Sequence, residues 1–542
     1  MPAWQKAFII AALCLVSVVG LAQSSGYDWR KDLPIQPRIK QVPRTMVFSQ
    51  AQLKYGLKPY DSYYNRWTDW PLFIDPELAE PGESQSHPKR ISYPDYVRRQ
   101  QIVRQYGLDG FSFFVDNFPW DTSKLVYDFT DRSNVKDFLL LSIIYKYKDK
   151  GLLFEKLDAM LNCRSHLRVN GKTVIKTYGG YNLELEKALP EIRKKYGDKF
   201  IIIPSLPPYF EGCPIWQFNY RQNTITREQV EALKEHYRKY LRIYDGIYFG
   251  GLWALELDHG YRKLYLDYYR DFLLRAIKSV MAEPEFKDKY MMLAAMVGHE
   301  NPWLLGYHVG SDATKTLRHS FEASLSADPD FIIIPEWDEQ NENTSLRPTV
   351  YNSRSHMRIM RYYMSRIKGE PLVPLEGDNI SIPNLVISTR KILSLGERLG
   401  IELLNIPDSA EEFTYTVKLL LKDIKGKVVH EFPELTFNAN KMYDHTLYVP
   451  SENFADYQVL RPALEIKYKG RTLNFEDGLH YVELWPVSTY DYKWVKQPLR
   501  DLLPIKAAEF KEVKKSFIQM LLKFVSGGRL GSNGDPLVKT YS

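Results

Sequence analysis

Short apolar runs alternate with longer amphipathic stretches between residues 44 and 370. Each run is four to seven residues long and largely apolar throughout, which is typical of parallel strands covered by helices on both faces. We predict eight such strands at Met46–Gln50, Phe111–Asp116, Phe138–Ile144, Val174–Tyr178, Phe200–Pro204, Gly246–Phe249, Tyr290–Ala295 and Phe331–Glu336.

Helical periodicity fills most of the gaps between these strands. The predicted helices are Tyr96–Tyr106, Asn182–Tyr196, Thr226–Leu241, Tyr261–Ala282, Ala313–Ala327 and Asn352–Lys368. Eight strands that alternate with helices predict an α/β fold, a (β/α)₈ barrel over residues 44–370. An open doubly wound sheet is the alternative, although no Gly-rich phosphate loop follows the first strand.

The pattern changes near residue 370, where short β-type runs are separated by Gly, Pro, Asn and Asp. We predict strands at Asn384–Thr389, Gly400–Leu404, Phe413–Leu421, Lys427–Phe432, Thr446–Val449, Ala463–Tyr468 and Tyr481–Trp485. Lys425-Gly426 and Lys469-Gly470 have the composition of hairpin turns. Residues 376–500 are therefore predicted to form an antiparallel β-sandwich, an accessory domain behind the barrel.

Residues 501–542 are predicted to form a basic amphipathic helix and a Gly-rich tail. Five apolar side chains share one helical face: Phe510, Val513, Phe517, Leu521 and Phe524. Docking of this face onto the protein is the preferred interpretation. The alternative is that this face binds a membrane surface, and we expect membrane association through no other part of the protein.

The first 22 residues have the pattern of a cleavable signal peptide. Lys6 precedes an apolar run of about 15 residues, which ends at the small-x-small site Gly20-Leu21-Ala22. A spanning helix needs roughly 20 residues, so a retained anchor is the less favoured alternative. We expect a secreted or periplasmic protein.

Composition narrows the ligand classes. Aromatic residues make up 14% of the chain, led by 38 Tyr, and flat rings stack on sugars and on bases. The formal net charge is only +7 over 542 residues, too small and too dispersed to indicate nucleic-acid binding. Beyond the signal peptide only Cys163 and Cys213 remain, so no disulfide framework is predicted.

The strongest candidate chemistry lies at the end of the eighth predicted strand. A barrel builds its active site at the C-terminal ends of its strands. Here four apolar residues lead into Glu336, Asp338 and Glu339, and glycoside hydrolysis commonly needs two carboxyl groups. Glu336 and Glu339 can converge only if the strand ends near Trp337 and the chain turns. The alternative is that these acids cap or pair with neighbouring arginines, Arg347, Arg354 or Arg358.

Other strand ends supply candidate substrate-binding residues, each with packing or loop capping as the alternative. These candidates are Asp116, Asn117, Trp120, Tyr178, Trp253, Glu256, His299 and Trp337. Zinc and nucleotide motifs of the common kinds are missing from the sequence, as is a Gly-x-Ser-x-Gly elbow. We therefore predict no cofactor and no metal, with a calcium site built from scattered carboxylates left open.

Glu336-Trp337-Asp338-Glu339 resembles the Glu-Trp-x-Glu motif of the endo-α-mannosidase family of glycoside hydrolases, family 99, and is similar to the related fungal α-1,3-glucanase and WbsX-like groups. The segment from Gly107 to Phe111 resembles the Gly-x-Asp-Gly-Phe entry to their second strand, and Trp67 and Trp70 lie where these families carry aromatic sugar contacts. The resemblance covers residues 44–370 and excludes the sandwich.

The resemblance implies an enzyme that acts on α-linked oligo- or polysaccharides without a nucleotide cofactor. Glu336 would draw the proton from the sugar 2-hydroxyl to form a 1,2-anhydro sugar, and Glu339 would protonate the leaving oxygen and then activate water. Trp337 would help to wall the cleft. Two other functions stay open: a non-catalytic glycan-binding barrel, and an enzyme of polysaccharide assembly, against which the signal peptide argues.

Overall fold

The computed structural model describes residues 27–53, 93–116, 119–144, 150–178, 182–206, 225–249, 263–300, 308–339, 344–349, 351–476, 482–485 and 494–501. The signal peptide and the helix beyond residue 501 lie outside these residues and stay predictions.

Parallel strands form the first part of the described chain. The strands up to residue 334 are β1 (Met46–Ala51), β2 (Gly110–Phe114), β3 (Leu139–Ile144), β4 (Arg168–Val169), β5 (Lys172–Thr177), β6 (Phe200–Ile203), β7 (Gly246–Phe249), β8 (Tyr290–Ala294), β9 (His299–Glu300), β10 (His308–Val309) and β11 (Phe331–Ile334). Apart from the two-residue strands β4, β9 and β10, all pair in parallel, and each coincides with one of the eight predicted runs.

The parallel sheet is curled. Strands that follow one another in the chain lie next to one another in the sheet, and the first strand also pairs with the last. β1 pairs with β2 on one side and with the last strand, β11, on the other. Between β6 and β7, the Tyr248 N–H donates to the Pro204 carbonyl (2.9 Å) and the Leu206 N–H donates to the Tyr248 carbonyl (2.8 Å). These are main-chain hydrogen bonds of the kind that a (β/α)₈ barrel requires between its fifth and sixth parallel strands.

Alternate residues of each strand pack on opposite faces of this sheet, as the period of two requires. Phe48, Val174 and Ile333 belong to one buried cluster, drawn from neighbouring strands on the inner face. Their neighbours, such as Ile175 and Ile332, pack instead with the helices. The next inner positions after Phe48 and Val174, one step towards the C-terminal end, are therefore Gln50 and Lys176.

Aspartates tie the N-terminal end of the sheet together. Asp109 precedes β2, accepts from the Val47 N–H of β1 (2.8 Å) and pairs with Arg44 (2.6 Å). The same arrangement recurs at Asp245 with Arg193 and the Ile202 N–H, and at Asp330 with Arg38 and the Met291 N–H. Carboxylates at this end stabilise the sheet, whereas the opposite end is the one where a barrel carries its chemistry.

The helices are α1 (Trp29–Asp32), α2 (Tyr93–Gln105), α3 (Trp120–Ser133), α4 (Lys150–Asn162), α5 (Asn182–Tyr196), α6 (Arg227–Ile243), α7 (Lys263–Met281), α8 (Lys315–Ser326) and α9 (Ser355–Lys368). Six of them match the six predicted helices, whereas α3 and α4 follow β2 and β3 where the sequence analysis assigned no helix. None of the helices within the described ranges is long and apolar enough to cross a membrane.

The second part of the chain forms two β-sheets that share one hydrophobic core. Its strands are β12 (Leu385–Arg390), β13 (Ile392–Ser394), β14 (Arg398–Asn405), β15 (Thr414–Lys422), β16 (Val428–Glu431), β17 (Leu435–Asn438), β18 (Tyr443–Pro450), β19 (Val459–Tyr468), β20 (Arg471–Glu476), β21 (Val482–Trp485) and β22 (Trp494–Pro498). All seven predicted strands are present, and β13, β17, β20 and β22 are additional. Lys469 and Gly470 both have positive φ and join β19 to β20 in the predicted hairpin.

The sheet made of β18, β14, β12 and β22 lies against α8 and α9. Val386 and Leu404 from this sheet belong to the same buried cluster as the helix-facing residues of the parallel sheet. Glu402 of β14 accepts hydrogen bonds from Thr314 Oγ1 (2.7 Å) and Arg318 (2.9 Å) at the start of α8. Apolar packing and buried polar bonds thus fix the second part on the first.

Candidate active site

The segment that follows β11 is held in place by the main chain. β11 ends at Ile334, and the Pro335–Glu336 peptide is cis. The Glu336 N–H donates to the Thr344 carbonyl (3.2 Å), and the Leu346 N–H donates back to the Glu336 carbonyl (2.8 Å). Because the strand ends before Glu336, the condition that the sequence analysis set for Glu336 and Glu339 to converge is met.

Glu336 is bound by a glutamine of the first strand. Gln50, on the inner face near the end of β1, donates its side-chain amide to Glu336 Oε1. Both side chains are buried, and Glu336 is only 5% exposed. A hydrogen bond donated to a carboxylate favours its ionised form, so this contact suits a base.

Glu339 is bound by a second glutamine of the same segment. Gln52, just beyond β1, donates its side-chain amide to Glu339 Oε2. Residues two apart in an extended chain lie on one face, roughly 7 Å from each other. Gln50 and Gln52 therefore bring Glu336 and Glu339 to one side of the sheet, at its C-terminal end.

Asp338, the third carboxylate of the motif, has a different environment. Its Oδ1 accepts from the Gln52 main-chain N–H (3.0 Å), and its Oδ2 accepts from Arg99 (3.2 Å). Arg99 of α2 is in turn paired with Asp95 (2.8 Å). Asp338 thus anchors the loop that carries Gln52.

The alternative interpretation, that the acids of the motif form structural ion pairs, is correct for Asp338. Its partner is Arg99, however, and not one of the arginines expected from the sequence, Arg347, Arg354 and Arg358. Arg358 binds Asp378 (2.6 Å) and Asp501 (2.8 Å) in the second part of the chain. Arginine pairing by Arg358 therefore does not explain the two glutamates.

Lys176 lies behind Gln50, on the inner face near the end of β5. Its ammonium donates to Gln50 Oε1 (3.0 Å) and lies 3.9 Å from the centre of the Tyr248 ring. The side chain is fully buried. Burial lowers the pKa of Lys176 from 10.5 to about 7, and the Glu336 carboxylate offsets part of that shift. Burial, and then the charge of Glu336, raises the pKa of Tyr248.

The lowered pKa of Lys176 predicts a pH-dependent stability. Between about pH 7 and 10.5 the unfolded chain holds a proton on Lys176 that the folded chain has released, so the unfolding free energy rises with pH. Between pH 7 and 9 the unfolding free energy of the wild type should rise by about 2–3 kcal/mol more than that of Lys176→Met. One proton bound by the unfolded chain and not by the folded chain adds about 1.4 kcal/mol to the unfolding free energy per pH unit. Denaturant unfolding of both proteins at several pH values tests this. Parallel curves would show that Lys176 titrates normally.

The predicted substrate-binding residues occupy several places at the same end of the sheet. Tyr178, directly after β5, is 38% exposed and packs edge-on against Phe114 (5.0 Å). Asp116, directly after β2, is buried in an ion pair with Lys156 of α4. Tyr178 is therefore placed to meet a ligand, whereas Asp116 holds α4 against the end of β2.

Trp120 and His299 are placed by short local structure. Trp120 is the first residue of α3, partly buried in the core and edge-on to Tyr127 (6.4 Å). His299 is buried in β9, which pairs with β10. Neither residue is joined to the two glutamates by a contact in the described structure. Asn117, Trp253 and Glu256 lie outside the described residues, as do Trp67 and Trp70.

Trp337 corrects the sequence analysis, which gave it a place on the cleft wall. The ring is 1% exposed and packs edge-on against Tyr106 (5.4 Å) and Phe111 (5.6 Å). Both neighbours belong to the helix-facing core, so the turn after β11 sends Trp337 outwards to the helices. The ring anchors the motif from behind and does not meet substrate.

The sequence analysis missed Gln50, Gln52, Lys176 and Arg99. Gln50 and Lys176 carried a visible signal, because each places a polar side chain at an inward position of a largely apolar strand. Within the described ranges, no group of three or more His, Cys, Asp or Glu side chains is arranged to hold a metal ion.

No protein-family model and no curated protein matches the chain. Solved structures similar to it include the GH99 endo-α-mannosidase from Bacteroides thetaiotaomicron, with 10% identity over 60% of this chain and 97% of that chain and a TM-score of 0.39. Bacteroides uniformis β-glucuronidase 2 is also similar, with 11% identity over 74% of this chain and 45% of the glucuronidase chain and a TM-score of 0.38. Both are glycoside hydrolases, but TM-scores below 0.5 assign this chain neither a family nor a substrate.

Proposed function

We propose that the protein is a glycoside hydrolase that cleaves α-linked glycans of the α-mannan or α-glucan class, at internal bonds. The observation that carries the proposal is the pair of glutamates at the C-terminal end of the parallel sheet. Gln50 binds Glu336, and Gln52, two residues further along the same segment, binds Glu339. Glycoside hydrolysis commonly needs a pair of carboxyl groups that flank the scissile bond. The curled sheet would be a closed (β/α)₈ barrel, with the sandwich of residues 376–500 as its accessory domain.

The two glutamates would have different roles. Glu336 accepts a hydrogen bond from Gln50 and acts as the base that removes the proton from the sugar 2-hydroxyl. Glu339 gives its proton to the leaving oxygen. In the second step Glu339 takes a proton from the water that attacks C1, the C1–O2 bond of the 1,2-anhydro sugar breaks, and Glu336 returns its proton to the 2-oxygen, so that the configuration is retained. Tyr178 and His299 would contact the glycan, together with Asn117, Trp253 and Glu256. Export through the signal peptide would place the enzyme where such glycans occur.

The test is hydrolysis of a panel of α-mannans and α-glucans by the purified protein, followed as new reducing ends. Glu336→Gln and Glu339→Gln, each checked for folding, should lose activity by at least about 10³-fold, or about 4 kcal/mol of barrier. Glu434→Gln is the matched control, because it makes the same change at an exposed carboxylate of the sandwich, bonded to Lys467 (2.8 Å).

The outcomes separate the candidate functions. Activity that both active-site variants lose and Glu434→Gln keeps would establish the pair and name the sugar. Activity that both variants keep would remove the catalytic assignment. Binding of a glycan without any new reducing ends, unaffected by either replacement, would instead identify a non-catalytic glycan-binding protein.

A further inference from the structure

Lys176 has few polar contacts for a buried charge. Among the described residues its ammonium contacts Gln50 Oε1 and the face of Tyr248, with the Tyr178 ring farther away, at 5.9 Å. An apolar side chain such as that of Val174, the preceding inner residue of β5, would fill such a position without the cost of burying an ammonium, which amounts to several kcal/mol. Lys176 therefore reduces stability where it lies, which calls for a functional explanation.

The chemistry of its neighbours fixes the orientation of Gln50. In its charged form Lys176 can only donate, so the ammonium must meet the amide oxygen, and a carboxylate can only accept, so it must meet the amide nitrogen. Gln50 lies between one of each, with Lys176 at Oε1 and Glu336 at the nitrogen. A rotated amide would put oxygen against carboxylate and nitrogen against ammonium. Lys176 thus excludes the orientation in which Gln50 would repel Glu336.

We propose that Lys176 is a positioning residue for Glu336: it locks the Gln50 amide in the orientation that donates to the Glu336 carboxylate. Lys176 is fully buried and does not meet substrate, so it acts only through Gln50. The proposal rests on the proposed function, in which Glu336 is the base.

The consequence is kinetic. Without Lys176 the Gln50 amide is held from one side only, by Glu336 itself, so Glu336 has a less rigid donor and a less defined position relative to the sugar 2-hydroxyl. Substrate binding, which depends on other residues of the cleft, is unaffected. Loss of Lys176 should therefore lower kcat and leave KM nearly unchanged.

A double-mutant cycle tests the dependence on Gln50. Kinetic constants are measured on the α-glycan that the wild type cleaves fastest, for Lys176→Met, Gln50→Met and the double variant. Each single change should lower kcat by about 10- to 100-fold with KM within about 3-fold. The double variant should be no slower than the slower single variant, because both changes remove the same contact. Multiplied effects, or a change confined to KM, would overturn the proposal.

Lys278→Met is the matched control. Lys278 is also a buried lysine, 6% exposed, and lies near Asp328 (3.8 Å), which precedes β11 at the opposite end of the sheet. It should leave kcat within about 3-fold of the wild type. If Lys278→Met lowers kcat as much as Lys176→Met, loss of any buried lysine suffices and the proposal fails. Where Lys176→Met does not fold, Lys176→Gln replaces it in the cycle.

A second measurement needs no activity, so it distinguishes failure of this inference from failure of the proposed function. Denaturant midpoints are compared for Lys176→Met, Glu336→Gln and their combination, first with Gln50 and then with Gln50→Met. The two sites should couple strongly when Gln50 is present, and most of that coupling should vanish when Gln50 is replaced, with only the charge attraction between Lys176 and Glu336 left. Coupling undiminished by the loss of Gln50 would mean that charge attraction alone links the two sites and would overturn the proposal, even for an active hydrolase. Coupling through Gln50 in a protein that cleaves no glycan would uphold the contact and reject the hydrolase.

Discussion

Glu339→Gln is expected to lower hydrolysis of an unactivated α-glycan by at least about 10³-fold, yet to lower the first-turnover release of an aryl leaving group by less than about 10-fold. A sugar alkoxide is a poor leaving group and needs the proton that Glu339 supplies. A nitrophenolate departs without one. The measurement is the burst of nitrophenol from the aryl α-mannoside or α-glucoside that matches the cleaved glycan.

Glu336→Gln should lose activity on both kinds of substrate to the same extent. Removing the proton from the 2-hydroxyl is needed whatever group leaves, and an amide cannot accept that proton. Glu434→Gln, exposed and remote, should match the wild type on both substrates. If the aryl substrate rescues Glu336→Gln rather than Glu339→Gln, the two roles are reversed. Equal losses for both variants would reject the division of labour.

The apolar runs predicted the parallel strands well because a strand buried on both faces needs a continuous apolar segment. β1, β6 and β11 start and end within two residues of the predicted bounds. α3 and α4 were missed because polar residues stand on their buried faces. α3 begins with Trp-Asp-Thr-Ser, and the buried face of α4 includes Lys156. A charge on the inward face hides a helix from a pattern that counts apolar positions.

The site was predictable only in part, for a reason that lies in its geometry. Three carboxylates after an apolar strand are visible locally, and so is the need for a turn. Their partners come from other strands: Gln50 and Gln52 are 286 and 287 residues from the glutamates that they bind. No periodicity relates residues at that separation. Which of the three acids is structural was also invisible, because Arg99, the partner of Asp338, lies on a distant helix.

The outward direction of Trp337 was also invisible in the sequence, because it depends on how the chain folds after β11. An aromatic residue within an acidic motif suggests a sugar contact, but the side of the chain that it occupies depends on how the turn after β11 is held. That turn is fixed by the Glu336 N–H on the Thr344 carbonyl and the Leu346 N–H on the Glu336 carbonyl. Main-chain pairing within one loop leaves no mark on side-chain composition.

The second large effect is expected where the sandwich meets the helices. Arg358 of α9 is 1% exposed and binds Asp378 through both guanidinium branches (2.6 and 2.7 Å) and Asp501 through one (2.8 Å). Burial by itself would raise the pKa of Asp378. The hydrogen bonds and charges of Arg358 and Arg500 outweigh that effect and hold the pKa below the usual value of 3.8. Asp378 and Arg358 are therefore both charged at neutral pH, and the stabilisation from this pair is lost only as the pH falls through the lowered pKa of Asp378.

Arg358→Met should lower the unfolding free energy by about 3–5 kcal/mol at pH 7, because it leaves the buried Asp501 carboxylate without its guanidinium and Asp378 with Arg500 as its remaining partner. Denaturant unfolding at pH 7 measures the loss. Lys467→Met is the matched control, since it breaks an exposed pair with Glu434 and should leave the unfolding free energy nearly unchanged. Arg358→Met combined with Asp501→Asn should recover part of the loss, because one of the stranded charges is removed with its partner. A loss as small as that of Lys467→Met would mean that the ion pairs of Arg358 do not help to hold the second part of the chain on the helices, which would leave this to the apolar packing and the bonds of Glu402.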